Sequence, residues 1–267
     1  MRIGIIGCGN MGSALIHGMV KSRRFPSRQI LAWDPDTRRL SGLTRRYKIR
    51  RVSSNSEVAE AEIVLLAVKP QQMEEVLQEV RPSLNSRKLL ISIAAGRSTD
   101  WIGKRVNGKA VPVVRVMPNM PASVQKGVSA IAGGKHAKAA HLEQAEKIFR
   151  SIGDWVVCVP EKLMDAVTAV SGSGPAYFFF LMEEMIRQGI ALGLPDKIAR
   201  RLVLETAAGA AALAKETEEE PSALRARVTS KGGTTEAAFR VFSQKQVGEN
   251  LRAGIHAAYQ RAKEMSA

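Results

Sequence analysis

Ile3–Gly4–Ile5–Ile6–Gly7–Cys8–Gly9–Asn10–Met11–Gly12, at the head of the chain, decides the fold. The apolar, β-branched start reads as a buried strand, and Gly7 to Gly12 spell G-x-G-x-x-G directly before a helical stretch. In that setting the first glycine allows the tight turn, the second admits a pyrophosphate to the backbone, and the third lets helix and strand pack closely. The pyrophosphate would rest on the helix N-terminus, where free N–H groups and the helix dipole favour an anion. Gly7, Cys8, Gly9, Asn10, Met11 and Gly12 are therefore candidate cofactor contacts. Asp34 lies 22 residues after Gly12, at the end of the next expected strand, where a carboxylate accepts hydrogen bonds from an adenosine ribose.

Outward from this motif, short β-branched runs alternate with helical stretches, the pattern of a parallel sheet wound with helices. Strands are expected at 2–6, 29–33, 49–52, 63–68, 88–93, 111–117, 128–132 and 155–159. Helices are expected at 11–21, 36–47, 71–80 and 137–151. After Pro160 no segment alternates with period two, and Ala- and Leu-rich helical runs take over. The expected division is a Rossmann domain over 1–160 and an all-helical domain over 161–267. Gly193–Leu194–Pro195 ends one long helix, and Asp196 is expected to cap the next. The apolar stripe Ala176–Leu181 is too hydrophobic for a lone surface, so a helical dimer interface is expected.

The chain has 267 residues and a formal net charge of +15. Eleven basic residues fall between Lys21 and Arg51 against only Asp34 and Asp36. This is read as a solvated basic face or as a field that steers a phosphorylated cofactor; no nucleic-acid motif accompanies it. Arg38 and Arg39 sit within reach of the adenosine end, which tilts the cofactor preference from NADH toward NADPH. Apolar runs of about five to seven residues are far short of the roughly 20 a membrane span needs. The N-terminus resembles no signal or transit peptide, so a cytoplasmic location is expected. Two cysteines and four scattered histidines carry no metal-ligand spacing, and no metal is expected.

Further segments bear on identity: Ala67–Val68–Lys69–Pro70, Ile93–Ala94–Ala95–Gly96 and Arg115–Val116–Met117–Pro118–Asn119–Met120–Pro121 end parallel strands, where ligands bind in open α/β sheets. In the helical half stand Ala169–Val170–Ser171–Gly172–Ser173–Gly174–Pro175–Ala176–Tyr177 and Val228–Thr229–Ser230–Lys231–Gly232–Gly233–Thr234–Thr235. Together with the N-terminal fingerprint, these resemble the pyrroline-5-carboxylate reductase family over essentially the full length.

The resemblance implies NAD(P)H-dependent reduction of 1-pyrroline-5-carboxylate to L-proline, the last step of proline biosynthesis. It also implies a C-terminal domain that dimerises by interleaving, often in rings of dimers. Cofactor contacts would fall on Gly7–Gly12, the region after Trp33, Asn55, Ala67, Val68, Lys69, Pro70, Ala94, Ala95 and Gly96. The substrate carboxylate would be held by Ser230, Gly232, Gly233, Thr234 and Thr235, with the Thr235 hydroxyl beside the ring nitrogen. Asn119, between prolines, is a further candidate substrate contact, read as a loop-stabilising amide near the nicotinamide rather than a reactive group. Lys231 stands where the family's loop usually has Pro, and Arg187 and Arg225–Ala226–Arg227 occupy places that are often acidic or amide.

The chemistry fits these residue types. Reducing a C=N bond needs hydride on carbon and a proton on nitrogen, and a cyclic imine is basic enough to arrive partly protonated. A strong protein acid is unnecessary, and the loops offer Thr, Ser, Gly and Asn rather than a His–Asp pair. Thr235 is the expected catalytic contact to nitrogen, although its hydroxyl is also placed to cap the helix that follows. A related imine or β-hydroxyacid reductase is the alternative enzyme, but such enzymes bring a Lys on the interdomain helix and Met164–Tyr177 has neither Lys nor Arg. The alternative of another class, a non-catalytic nucleic-acid-binding paralogue, rests on the basic pI near 10.2 alone.

Overall fold

A computed structural model describes residues 1–106 and 110–266. Eight strands form one sheet in the order β3-β2-β1-β4-β5-β6-β7-β8: β1 Ile3–Ile6, β2 Ile30–Trp33, β3 Arg50–Arg51, β4 Ile63–Leu66, β5 Leu89–Ser92, β6 Val113–Pro118, β7 Val128–Gly133 and β8 Trp155–Cys158. The central strands are buried on both faces. Ile63 and Leu65 of β4 join Leu15, Ile16 and Met19 below the sheet, while Val64 and Leu66 join Leu77 and Val80 above it. Such strands read as continuous apolar runs rather than alternating ones.

All eight expected strands are present, but the sheet is not wholly parallel. β7 runs antiparallel to β6, with Val116 opposite Ile131. Only residues 119–127 separate them, and a parallel return needs a crossover of a dozen or more residues.

The helices on the sheet are α1 Asn10–Lys21, α2 Thr37–Tyr47, α3 Asn55–Val58, α4 Met73–Val80, α5 Thr99–Arg105, α6 Ala139–Phe149 and α7 Met164–Val167. A π-helical turn over Thr168–Gly172 follows α7. The remaining helices are α8 Gly174–Ala191, α9 Asp196–Thr217, α10 Pro221–Arg227, α11 Thr234–Gln244 and α12 Val247–Ser266. Asp196 does not cap α9. Pro195 holds the cap position, and Asp196, inside the first turn, pairs with Arg200 one turn on.

The chain packs as two units, Met1–Ser173 with Ala258–Ala267, and Gly174–Ala257. The expected boundary at 160/161 lies just past β8, which ends at Cys158, whereas the two units divide at Ser173/Gly174 and Ala258–Ala267 belongs to the first. The segment 161–173 nevertheless packs with the sheet, because Met164 is buried against Ala130 and Ala132 of β7 and Arg115 of β6 pairs with Glu161 and Asp165.

The second unit is helical, with α8 and α9 joined through Gly193–Leu194–Pro195. It buries few of its apolar side chains. Phe178, Phe179 and Phe180 are 65%, 58% and 64% exposed, and Leu181, Leu202, Leu213 and Phe242 are also exposed. Isolated apolar residues on a surface need no explanation, but an apolar face of this extent marks a protein interface.

Candidate active site

The sheet brings the C-terminal ends of β1, β2, β4 and β5 side by side, with strand order reversing between β1 and β4, the place where open α/β sheets bind ligands. Gly7 leaves β1 at φ +93°, and the added Cβ of any other residue there would lie 2.6 Å from the Ala67 carbonyl oxygen. At Gly12 such a Cβ would lie 2.1 Å from the Gly7 oxygen. Gly9 differs: a Cβ there meets nothing within 4 Å. Packing explains Gly7 and Gly12, whereas the space in front of Gly9 suits a group that comes from outside the chain.

The helix starts sharpen this. Asp36, Ser54 and Ser98 cap α2, α3 and α5 with their own side chains, accepting from Arg38 and Arg39, from Glu57 and from Trp101. Behind Gly9, α1 has no side-chain cap, and among the described residues the N–H groups of Asn10, Met11 and Gly12 have no partner. Uncapped donors at a helix start, with the helix dipole behind them, make an anion site. Cys8 contributes no such donor, since its N–H bonds to Asp34 Oδ2 at 2.6 Å. Burial, reinforced by the Asp34 charge, pushes the Cys8 thiol up to about 12, so the side chain fills space and stays un-ionised.

Asp34 stands at the expected strand end but turns inward. Its second oxygen accepts from the Asp36 N–H at 2.8 Å, and Arg39 lies 3.6 Å away. The carboxylate braces the glycine loop. Arg39 also pairs with Asp36 at 3.2 Å, and among the described residues Arg38 forms no ion pair. Arg38 lines a cleft of about 640 Å³ with Gly9, Asn10, Ser13, His17, Arg46 and Tyr47.

On the other side of the loop, a cavity of about 290 Å³ is lined by Gly7, Trp33, Pro35, Asn55, Val68, Gln72 and Glu79. Asn55 Nδ2 donates to Glu79 at 2.9 Å, which fixes the amide orientation, and among the described residues its buried Oδ1 has no partner. It is an acceptor awaiting a donor, such as an adenosine amino or hydroxyl group. Lys69 is exposed and extended before Pro70, its N–H bonded to Gln72 Oε1 at 3.3 Å. Ala94, Ala95 and Gly96 form the turn beyond β5, with Ala94 and Gly96 buried and Ala95 half-buried.

Asn119 is spent within the fold. Its Oδ1 accepts from Val128 N–H at 2.9 Å and its Nδ2 donates to Ser171 Oγ at 3.4 Å. Closing the 119–128 excursion is its visible role.

In the second unit the loop 230–235 repeats the logic of α1. Gly233 occupies the cap position of α11, again without a side-chain cap, and among the described residues the N–H groups of Thr234, Thr235 and Glu236 have no partner. The Gly232 N–H is committed to Glu236 Oε2 at 2.7 Å, and the Gly233 N–H to the Ser230 carbonyl at 3.0 Å. The donors available to a carboxylate are therefore those of Thr234, Thr235 and Glu236. Glu236 was not anticipated; a helix opening behind Gly–Gly with no Ser, Asp or Asn at the cap was its signal. Thr235 makes no capping bond, being the second residue of the helix, and among the described residues its half-buried hydroxyl has no partner. Lys231 is exposed, and Arg187 pairs with Glu183 and Glu184.

Among the described residues no group of His, Cys, Asp and Glu could hold a metal ion, and no helix is long and apolar enough to cross a membrane. A Rossmann unit with an open pyrophosphate cradle, followed by a helical unit with an exposed apolar face, defines a two-domain oxidoreductase that uses a nicotinamide dinucleotide. Residues 161–265 match the family model for pyrroline-5-carboxylate reductase dimerisation, and residues 2–96 that for coenzyme F420-dependent NADP oxidoreductase. The pyrroline-5-carboxylate reductase of Pseudomonas aeruginosa is 42% identical over 99% of this chain and 97% of its own. That of Synechocystis is 40% identical over 99% and 98%. The solved Coxiella burnetii pyrroline-5-carboxylate reductase superposes with a TM-score of 0.92 at 35% identity, covering 100% and 98% of the two chains. The Plasmodium falciparum pyrroline carboxylate reductase solved with NADP bound gives 0.91 at 29%, with the same coverage. The chain belongs to the pyrroline-5-carboxylate reductase family.

Proposed function

We propose that the protein reduces 1-pyrroline-5-carboxylate to L-proline with NADPH, accepting NADH less well, and that it does so in the cytoplasm as a homodimer or a ring of dimers. The observation that carries this reading is the pair of helix starts, α1 and α11, each opening behind an uncapped glycine. One suits a pyrophosphate and the other a carboxylate, as a dinucleotide and an imino acid require. The bound cofactor supplies the hydride. Asn10, Met11 and Gly12 hold its pyrophosphate through backbone N–H groups, and Asn55 Oδ1, with Val68 alongside, receives the adenosine half. Ala67–Pro70 and Ala94–Gly96 shape the remaining cofactor edge. Thr234, Thr235 and Glu236 hold the substrate carboxylate through N–H groups, and the Thr235 hydroxyl bonds the ring nitrogen. Holding the imine in one orientation supplies most of the catalysis.

NADPH preference rests on Arg38. With Asp34 satisfied internally and partly neutralised by Arg39, its charge repels a 2′-phosphate less than its position alone suggests. Arg38→Ala should lower the NADPH-to-NADH ratio of kcat/KM about tenfold, the value of a charge-assisted hydrogen bond to phosphate of about 1.5 kcal/mol. An unchanged ratio would place Arg38 in solvent. Asp34→Ser should weaken both cofactors, since it releases the loop N–H groups of Cys8 and Asp36.

Homo-oligomer formation through the exposed helical face is supported by Phe178–Leu181. Phe180→Asp should convert the oligomer to monomer in sedimentation at micromolar concentration, because an unpaired buried charge costs several kcal/mol; a variant that sediments like the wild type would place the interface elsewhere.

A further inference from the structure

Arg115 is 4% exposed in the middle of the buried strand β6, and it faces two carboxylates, Glu161 at 3.7 Å and Asp165 at 3.5 Å. Neither acid is idle. Glu161 accepts from the Thr99 backbone N–H at 2.7 Å and from the Thr99 hydroxyl. Asp165 accepts from Ser266 Oγ at 2.9 Å, at the end of α12. One residue before, Met265 covers Gly96: a Cβ at Gly96 would lie 2.5 Å from the Met265 carbonyl oxygen and 2.6 Å from its Cβ. Gly96 itself sits at φ +68°, a conformation that favours glycine. The turn Ala94–Gly96 is thus closed from above by the end of α12 and pinned three residues on, at Thr99, by Glu161. A single buried arginine ties both anchors to the sheet.

We infer that Arg115, Glu161, Asp165 and the Met265–Ser266 end of α12 are positioning residues that hold the Ala94–Gly96 turn in the shape that receives the cofactor. This rests on the reading of that turn as a cofactor contact. None of the four need touch the cofactor; they fix the backbone that does. Removing one partner of a buried charge leaves it uncompensated at a large cost, and here the partners are the groups that set the turn.

The test compares Glu161→Ala, Glu161→Gln, Ser266→Ala and Ala95→Glu in the full-length enzyme. Kinetics with NADPH, inhibition by adenosine 2′,5′-bisphosphate and thermal melting are read for each. The clamp predicts that Glu161→Ala and Ser266→Ala raise KM for NADPH about fivefold or more. In both, kcat, KM for the imine and the inhibition constant of the adenosine fragment should stay put, because the fragment binds away from the turn. Glu161→Gln keeps an acceptor for Thr99 and should fall between wild type and Glu161→Ala. Ser266→Ala, a half-buried end position, carries the test should Glu161→Ala fail to fold. If both clamp variants leave KM for NADPH within twofold while Ala95→Glu raises it, the clamp is wrong and the turn reading stands. If Ala95→Glu also leaves it unchanged, the turn reading falls and takes the clamp with it.

Discussion

Gly9→Val removes cofactor binding, weakening NADPH at least about 100-fold by fluorescence titration, while the protein keeps its fold and its melting temperature within a few degrees. The magnitude follows from losing two hydrogen bonds to a charged pyrophosphate, each about 1.5 kcal/mol, when about 1.4 kcal/mol is a factor of ten. What makes the variant informative is the space around Gly9. A Cβ there meets no protein atom within 4 Å, so the valine methyls enter the volume in front of the α1 N-terminus. Gly12→Val cannot serve the same purpose, since its Cβ would strike the Gly7 oxygen at 2.1 Å and misfold the loop. A folded Gly9→Val protein that binds NADPH normally would remove the pyrophosphate from this site.

Thr235→Ala should cut kcat/KM for the imine about tenfold or more, from an unpaired polar contact of about 1.5 kcal/mol, while cofactor affinity holds. The melting temperature should not fall. Gly233, not Thr235, is the cap of α11, and alanine is the better helix former within the first turn. Lower stability with unaltered kcat/KM would mean that the hydroxyl serves the helix and not the substrate.

The Rossmann half was legible because its signals are local: β-branched strands, a glycine loop between strand and helix, and helices of regular period. What spacing does not reveal is geometry set by chain length and by third parties. The antiparallel β7 follows from a connection too short for a crossover. Asp34 reads as a ribose acceptor by position, yet the Cys8 and Asp36 N–H groups claim it first, a competition that no spacing reveals. Asn119, by contrast, reads from the sequence as a loop-stabilising amide, and its bonds to Val128 and Ser171 do brace the loop. At the proposed substrate loop, Gly232 and Gly233 look like the donors, but their N–H groups are bonded to Glu236 and Ser230, which is why the proposal turns to Thr234, Thr235 and Glu236. Arg115 offered an unused signal. A charged residue within Val113–Val114–Arg115–Val116 demands buried counter-charges, and these arrive from Glu161 and Asp165, some 50 residues on, on the segment that packing moves from the helical unit to the sheet.

The central claim is that this chain joins a nicotinamide cofactor to a cyclic imino acid. Its most direct measurement mixes the purified protein with NADPH and pyrroline-5-carboxylate, following the reduced-nicotinamide absorbance and assaying the product. The account predicts NADPH oxidation only when both partners are present, with L-proline formed mole for mole and both signals lost in Gly9→Val. A folded, oligomeric protein that binds NADPH but leaves it reduced in the presence of the imine would contradict it.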